Sequence, residues 1–382
     1  MIALKKIIEL GEEPASFKVI SRHYHEQNYK EYGIKSIRGI EYDNKEISAG
    51  KWLYGFNVND PKDKLYRLYK EIETADVLIL GAGNFLVDYT IDLVKGPIPM
   101  FFILSCMAKM ANTKIFWFGI SVGPINTLLG EKMSYMSALL ADKITVRDKD
   151  SKLILKNMGV KNPITVLPDP VLGLKLTNTA NMPKEYDMAH SISKRVICIS
   201  LRALPPNKII SNKDFMNKIS VCCDFLIEKL NCVLLFIPHC TYEKGDFNSD
   251  DRNINTLVVS KMLHQTKVFL IRETLTISQQ INLYKNAFGS VCTRLHASVF
   301  SIMQGIPSIG LNYNKKVHQF YEWCELDEFL IEITNVNSEN IFKKFSIASR
   351  QKGKFEKMAE KINLKGDKII KKYANIAGKL CE

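Results

Sequence analysis

CTRLHASVFSIMQGIPSIGLN, residues 292–312, is the stretch that decides how this chain is built. An apolar strand, Gly289 to Thr293, runs into it, and Arg294 and His296 then fall in the first turn of a helix. That helix is apolar through Val299, Phe300, Ile302 and Met303 and stops at Gly305. Across Pro307 a second buried strand follows, Ser308 to Leu311. A strand that feeds a helix leaves the first helical N–H groups unpaired, with the positive end of the dipole at the sheet edge. An arginine there adds a planar fork of donors, so the segment is suited to hold an anion.

The same strand–helix unit recurs outward from this stretch. Strands are expected at Phe17–Ser21, Val77–Leu80, Lys114–Ile120, Lys143–Val146, Ile164–Leu167, Val196–Ser200, Val233–Ile237 and Val268–Leu270, besides the two already named. Most are short apolar runs rather than alternating ones, the pattern of parallel strands covered on both faces. Helical patterns fall between them at Lys62–Thr74, Pro99–Ala111, Glu131–Ala141, Ser151–Met158, Asp214–Leu230, Asn253–His264 and Ser278–Lys285. Repetition of this kind predicts an α/β protein with doubly wound sheets. At 382 residues the chain exceeds one ordinary domain. The polar, strand-poor stretch from Thr177 to Lys194 parts the strands into two groups. The expected organisation is a Rossmann-like domain over 1–176, a linker over 177–194, a second Rossmann-like domain over 195–345 and a basic C-terminal helix over 346–382. Two such domains facing each other would gather the strand C-termini, and with them the ligands, around one cleft.

Composition narrows the class. Hydrophobic content of 46% with 24% charged residues is that of a globular protein. The longest apolar run, Pro97–Met110, contains Ser105 and Lys109 and is too short to span a bilayer, and no secretory leader is evident. The nine cysteines are scattered without CxxC pairs or histidine clustering, so neither a disulfide framework nor a metal site is expected, and a reducing cytoplasm is. A net charge of +13 points to acidic partners. Much of the excess lies near the end, from Lys343 to Lys379. These lysines read either as a solvated helix face or as a peripheral contact with anionic lipid head groups. Nucleic acid fits less well, because no aromatic residues interleave the charge.

Three further segments carry chemistry. In ADVLILGAGNFLVDYT, residues 75–90, a strand ends at Leu80, and Gly81 and Gly83 allow a tight turn or a close approach to a ligand, with Asn84 and Asp88 beyond. This is not GxGxxG, since Leu86 stands where a third glycine belongs, so a dinucleotide reading is weak. In FGISVGPI, residues 118–125, Gly119, Ser121 and Gly123 leave room at the mouth of a sheet. In ITVRDKDS (144–151) and LPDPVLGL (167–174), Arg147 is expected at a strand end toward the cleft, Asp148 as a helix N-cap, and Asp169 as a turn or hydrogen-bonding anchor.

Taken in order, LILGAGNFLVD, GISVGP, VRDKDS, the Asp169-Pro170 pair, RLHA at 294–297, QGIPSI and NYNKKVHQF at 312–320 resemble the polysaccharide pyruvyl transferase family, over residues 75–325. The resemblance implies two Rossmann-like halves of the glycosyltransferase-B type. It implies transfer of pyruvate from phosphoenolpyruvate, as co-substrate and with no separate cofactor, to a sugar of a cell-surface polysaccharide or its lipid-linked precursor. Family members begin with a strand and a loop of the form GNxGxEA. This chain starts at MIALKKIIELG, which reads as the helix after that loop, so the first domain is expected to lack that strand and loop.

The chemistry assigns roles. Phosphoenolpyruvate carries a carboxylate and a phosphate, so its pocket should be cationic: Arg294, with Arg202 at the end of VICISLRAL, and Lys315, which with Lys316 matches the family's lysine after the last tyrosine. His296 is the first candidate for proton transfer, and His239, after VLLFIPH, the second. Gly81, Gly83, Asn84, Asp88, Ser121 and Arg147 are the candidates for lining the acceptor side. The competing readings are a nucleotide-sugar glycosyltransferase, in which Glu273 after VFLIRE would grip a ribose, and a non-catalytic relative in glycan assembly.

Overall fold

The computed structural model describes residues 16–21, 33–40, 55, 57–88, 96–174, 181–205, 210–241 and 247–381. The chain divides into two compact units, Met1–Leu174 with Lys365–Glu382, and Lys175–Leu364. The N-terminal strand and loop considered above concern residues outside the described ones.

In the first unit a short parallel pair, β1 (Lys18–Ser21) and β2 (Lys35–Arg38), accompanies a four-stranded sheet. Its strands are β3 (Val77–Leu86), β4 (Lys114–Val122), β5 (Lys143–Val146) and β6 (Ile164–Val166), in that order and all parallel. Helices α1 (Lys64–Glu73), α2 (Pro97–Met110), α3 (Leu128–Leu140) and α4 (Lys149–Asn157) intervene. Strand β4, KIFWFGISV, is buried from its second residue onward, because both of its faces are covered. Trp117 meets Phe101 of α2 edge-on at 5.1 Å, and on the alternate residue Phe118 meets Tyr373 at 4.6 Å.

Tyr373 belongs to α12 (Lys352–Cys381), whose second half groups with this unit. The expected basic helix is therefore no mere solvated appendage. Ile369, Ile370, Tyr373 and Ala377 are buried, while Lys365, Lys368, Lys372 and Lys379 are exposed. Gly119 makes the approach possible: its φ is +53°, and a Cβ there would lie 2.9 Å from the Tyr373 hydroxyl and 3.0 Å from Pro170.

The second unit is a six-stranded parallel sheet of β7 (Val196–Ser200), β8 (Val233–Phe236), β9 (Val268–Leu270), β10 (Gly289–Cys292), β11 (Ser308–Asn312) and β12 (Leu330–Glu332). The order β12-β11-β10-β7-β8-β9 is the full doubly wound arrangement, the third strand outermost on one side and the sixth on the other. Its helices are α5 (Lys184–Ile192), α6 (Asn212–Leu230), α7 (Asp251–Val259), α8 (Ile277–Asn282), α9 (Leu295–Met303), α10 (Lys315–Trp323) and α11 (Ser338–Arg350).

Three expectations need correction. The stretch read as a linker holds α5, which packs on β8 and β9, so residues 184–192 belong to the second unit. Its polar exterior hid a helix of which Ala189 alone is deeply buried. The second unit also extends past residue 345 to Leu364, and the tail is two helices, α11 and α12, rather than one. Finally, β3 does not end at Leu80: Gly81, Gly83 and Asn84 pair with Phe118, Ile120 and Ser121. They are strand residues, not a turn. The ladder continues because Gly81, at φ +142°, has no Cβ to strike the Phe118 carbonyl oxygen, which would lie 2.1 Å away.

Candidate functional site

Strand order alone gathers the second-unit candidates. All six strands are parallel, so their C-terminal ends share one edge, and the order reverses between β7 and β10. Ligands of open α/β sheets bind at such a reversal. Arg202 follows β7, His239 follows β8, Arg294 and His296 follow β10, and Lys315 follows β11 and opens α10. Glu273 follows β9, the outer strand, two strands from β7.

Helix α9 starts at Leu295 with Arg294 as its N-cap, and the Arg294 side chain makes no capping hydrogen bond. Below it the helix is fastened by hydroxyls. Ser301 donates to Ser290 of β10 at 2.7 Å, Ser290 to Ser308 of β11 at 3.0 Å, and the Tyr321 hydroxyl of α10 to Ser298 at 3.1 Å. Ser308 and the Tyr321 hydroxyl are 2.9 Å apart. A buried, satisfied hydroxyl network rigidifies its surroundings. Spacing gave no sign of it, because these serines look like ordinary small core residues.

Arg294 is an ion-paired residue. Its Nε donates to Asp251 Oδ2 at 2.9 Å, and Nη2 bonds Oδ1 of the same carboxylate. The Asp251 side chain is wholly buried, while that of Arg294 is 20% exposed. The same carboxylate accepts the N–H groups of His239 at 3.1 Å and Cys240 at 2.9 Å. Asp251 was not foreseen; α7 begins two residues before the expected start at Asn253 and includes it. The signal available was an acidic pair at a helix start, which reads as a cap. Asp250 does play that part, accepting from the Arg252 N–H at 2.9 Å.

Arg202 is held from two sides. Its N–H donates to Thr293 Oγ1 at 2.8 Å, and Nη1 donates to the Tyr313 hydroxyl at 3.0 Å. His296 is exposed, with its ring stacked at 6.2 Å on Phe300, and His239 stacks on Phe300 as well, at 5.9 Å. Lys315 is exposed.

His239 is unlike His296. Its Nε2 lies 2.7 Å from the Tyr284 hydroxyl, and Tyr284 is fully buried. Burial, then the positive charge of Arg294, pushes its pKa down to about 3. A pKa that low makes the ring a weak base at ordinary pH, which favours His296 over His239 as the proton-transfer group.

The first-unit candidates are engaged with one another. Asp88 accepts from the N–H groups of Asn126 at 2.8 Å and Thr127 at 2.7 Å and from the Thr127 hydroxyl at 2.8 Å, so it braces the loop ahead of α3. That satisfied, buried carboxylate is structural rather than a ligand for an acceptor sugar. Arg147 donates to Ser121 Oγ at 2.5 Å and to Asp169 Oδ2 at 2.6 Å. Ser121 in turn donates to Asp148 at 3.0 Å, and Asp148 caps α4 through the Ser151 N–H. Among the described residues no His/Cys/Asp/Glu group could hold a metal ion.

Residues 7–315 match the family model of the polysaccharide pyruvyl transferases. The chain belongs to that family. A transferase role in polysaccharide biosynthesis follows from this membership. The chain is also 19% identical over 287 residues to the amylovoran biosynthesis protein AmsJ of Erwinia amylovora, covering 73% of this chain and 67% of that protein. Among solved structures it resembles UDP-GlcNAc 2-epimerase from Neisseria meningitidis bound to UDP-GlcNAc, with a TM-score of 0.63, 13% identity and coverage of 99% and 94% of the two chains. It also resembles Anabaena Alr3699/HepE in complex with UDP, with a TM-score of 0.56, 10% identity and coverage of 99% and 95%. At such identities the likeness shows the fold, which is glycosyltransferase-B-like with Rossmann-like units. No helix among the described residues is long and apolar enough to cross a membrane.

Proposed function

We propose that this pyruvyl transferase uses phosphoenolpyruvate as donor and forms a pyruvate ketal on a sugar of a surface polysaccharide or its lipid-linked precursor. The observation that carries this reading is the start of α9, which opens Arg294–Leu295–His296 at the reversal between β7 and β10 with an N-cap residue whose side chain does not cap it. Helix N–H groups, Arg294 and Arg202 suit the donor's phosphate and carboxylate, with Lys315 a further cation at the same sheet edge. The donor's methylene carbon takes a proton and becomes a methyl group, leaving positive character at C2. One sugar hydroxyl attacks C2 and loses its proton, the C2–O bond to phosphate breaks with its electron pair, and a second hydroxyl closes the ketal. One acceptor proton thus ends on carbon and the other on phosphate. His296, exposed beside Arg294, is the group assigned to proton transfer.

The acceptor side is assigned to Gly81, Gly83, Asn84, Ser121 and Arg147 on the first unit. A lipid-linked acceptor would call for a protein at the cytoplasmic face of a membrane, and the exposed lysines of α12 would suit an electrostatic contact with anionic lipid.

The test is calorimetric titration with phosphoenolpyruvate, alongside phosphate release with candidate glycans. The intact protein should bind phosphoenolpyruvate, and Arg294→Ala should weaken binding at least about tenfold, equivalent to 1.4 kcal/mol. Binding of UDP- or GDP-sugars with indifference to phosphoenolpyruvate would overturn the reading.

A further inference from the structure

We infer that Asp251 is a positioning residue that aims Arg294 at the donor anion, an inference that rests on Arg294 serving as the donor's anchor. Three observations carry it. The carboxylate is completely buried, so it is not itself a ligand for a solvent-borne substrate. It grips Arg294 side-on through Nε and Nη2, which fixes the plane of the guanidinium. And it accepts the N–H groups of both His239 and Cys240, so its own position is set by the turn after β8.

The arithmetic of donors makes the consequence specific. A guanidinium has five N–H groups, and a side-on carboxylate uses the Nε proton and one on Nη2. The two Nη1 protons and the second on Nη2 are not used by Asp251, and they include the end-on edge of the fork. That edge matches a carboxylate or phosphate in two parallel hydrogen bonds. The pairing also neutralises much of Arg294's charge, so its contribution to donor recognition is directional, while Arg202, Lys315 and the α9 N-terminus supply further attraction. Without Asp251 the side chain would sample other rotamers and lose the order that precedes binding.

The experiment has two readouts. Arginine-¹⁵N-labelled protein gives the Arg294 Nε–H resonance without any ligand, assigned by its loss in Arg294→Lys. Calorimetry gives phosphoenolpyruvate affinity for the wild type, Asp251→Asn, Arg294→Ala and the double variant. In Asp251→Asn the Nε–H signal should shift and exchange faster with water, with phosphoenolpyruvate affinity at least about tenfold weaker. Adding Arg294→Ala to Asp251→Asn should then cost less than about twofold more, because the two act as a unit. Should Asp251→Asn fail to fold, Asp251→Glu makes the same comparison with the charge retained and the arm one methylene longer. An unchanged Nε–H signal, or losses that multiply, would overturn the positioning role. A wild type that does not bind phosphoenolpyruvate would instead sink the donor assignment, and the ligand-free resonance would still decide whether Asp251 orients Arg294.

Discussion

The guanidinium of Arg202 lies over the ring of Tyr313, 5.2 Å from its centroid, and also donates to that residue's hydroxyl. The two residues leave the ends of β7 and β11, which flank β10 and its Arg294, so one cation of the site is steadied from across the strand that carries the other.

Tyr313→Phe removes the hydroxyl and keeps the ring. A net hydrogen bond contributes about 0.5–1.5 kcal/mol, so donor affinity should fall about two- to tenfold with turnover at saturation little changed. Tyr313→Ala, which also removes the cation–π contact, should lose more. Equal affinity in all three proteins by calorimetry would separate Arg202 from the donor.

His296→Ala should lower turnover by about 10²–10⁴ while donor affinity falls far less. His296→Gln keeps hydrogen bonding without proton transfer and should be nearly as slow. Phosphate-release kinetics decide the matter: a glutamine variant of near-normal turnover would make His296 a binding residue only.

His239 predicts an acid sensitivity. Burial first, then Arg294, lowers its folded pKa to about 3, against about 6.5 in an unfolded chain. As pH falls the unfolded state therefore takes up the proton first. The stabilisation is complete above about pH 6.5 and is lost progressively toward pH 3. His239→Gln should flatten the dependence of Tm on pH between 6.5 and 4, and an unchanged slope would mean that other groups govern acid unfolding.

The lysine face of α12 predicts vesicle binding. Lys365, Lys368, Lys372 and Lys379, all exposed, share an arc of about 60° at 3.6 residues per turn. At about 1 kcal/mol per lysine near an anionic surface, co-sedimentation with phosphatidylserine-containing vesicles should be clear at low salt and largely lost when all four are changed to Gln. Equal binding to neutral phosphatidylcholine vesicles would exclude an electrostatic contact.

Much of the architecture was legible because parallel strands buried on both faces must be short apolar runs, and β4, β7, β8, β10 and β11 all are. The alternation of such runs with helical segments was enough to specify an α/β fold, and the end of each strand was enough to nominate Arg202, His239, Arg294 and His296. Less was legible where the signal is not periodic. Strand β12 went unforeseen, and α5 buries too little to reveal a face.

What the sequence by itself determined is the class of fold, the family's ordered motifs and the residue types at the strand ends, since these depend on local periodicity and on chemistry at fixed chain positions. Only the tertiary structure decided which of those side chains are available. Arg294 and Arg147 each prove to be tied to a carboxylate, from Asp251 and Asp169, and burial beside Arg294 pushes the pKa of His239 down. The physical reason is that ionisation and orientation are set by neighbours a few ångströms away in space, and those neighbours, 43 residues apart for Arg294 and Asp251, meet only when the sheet is assembled.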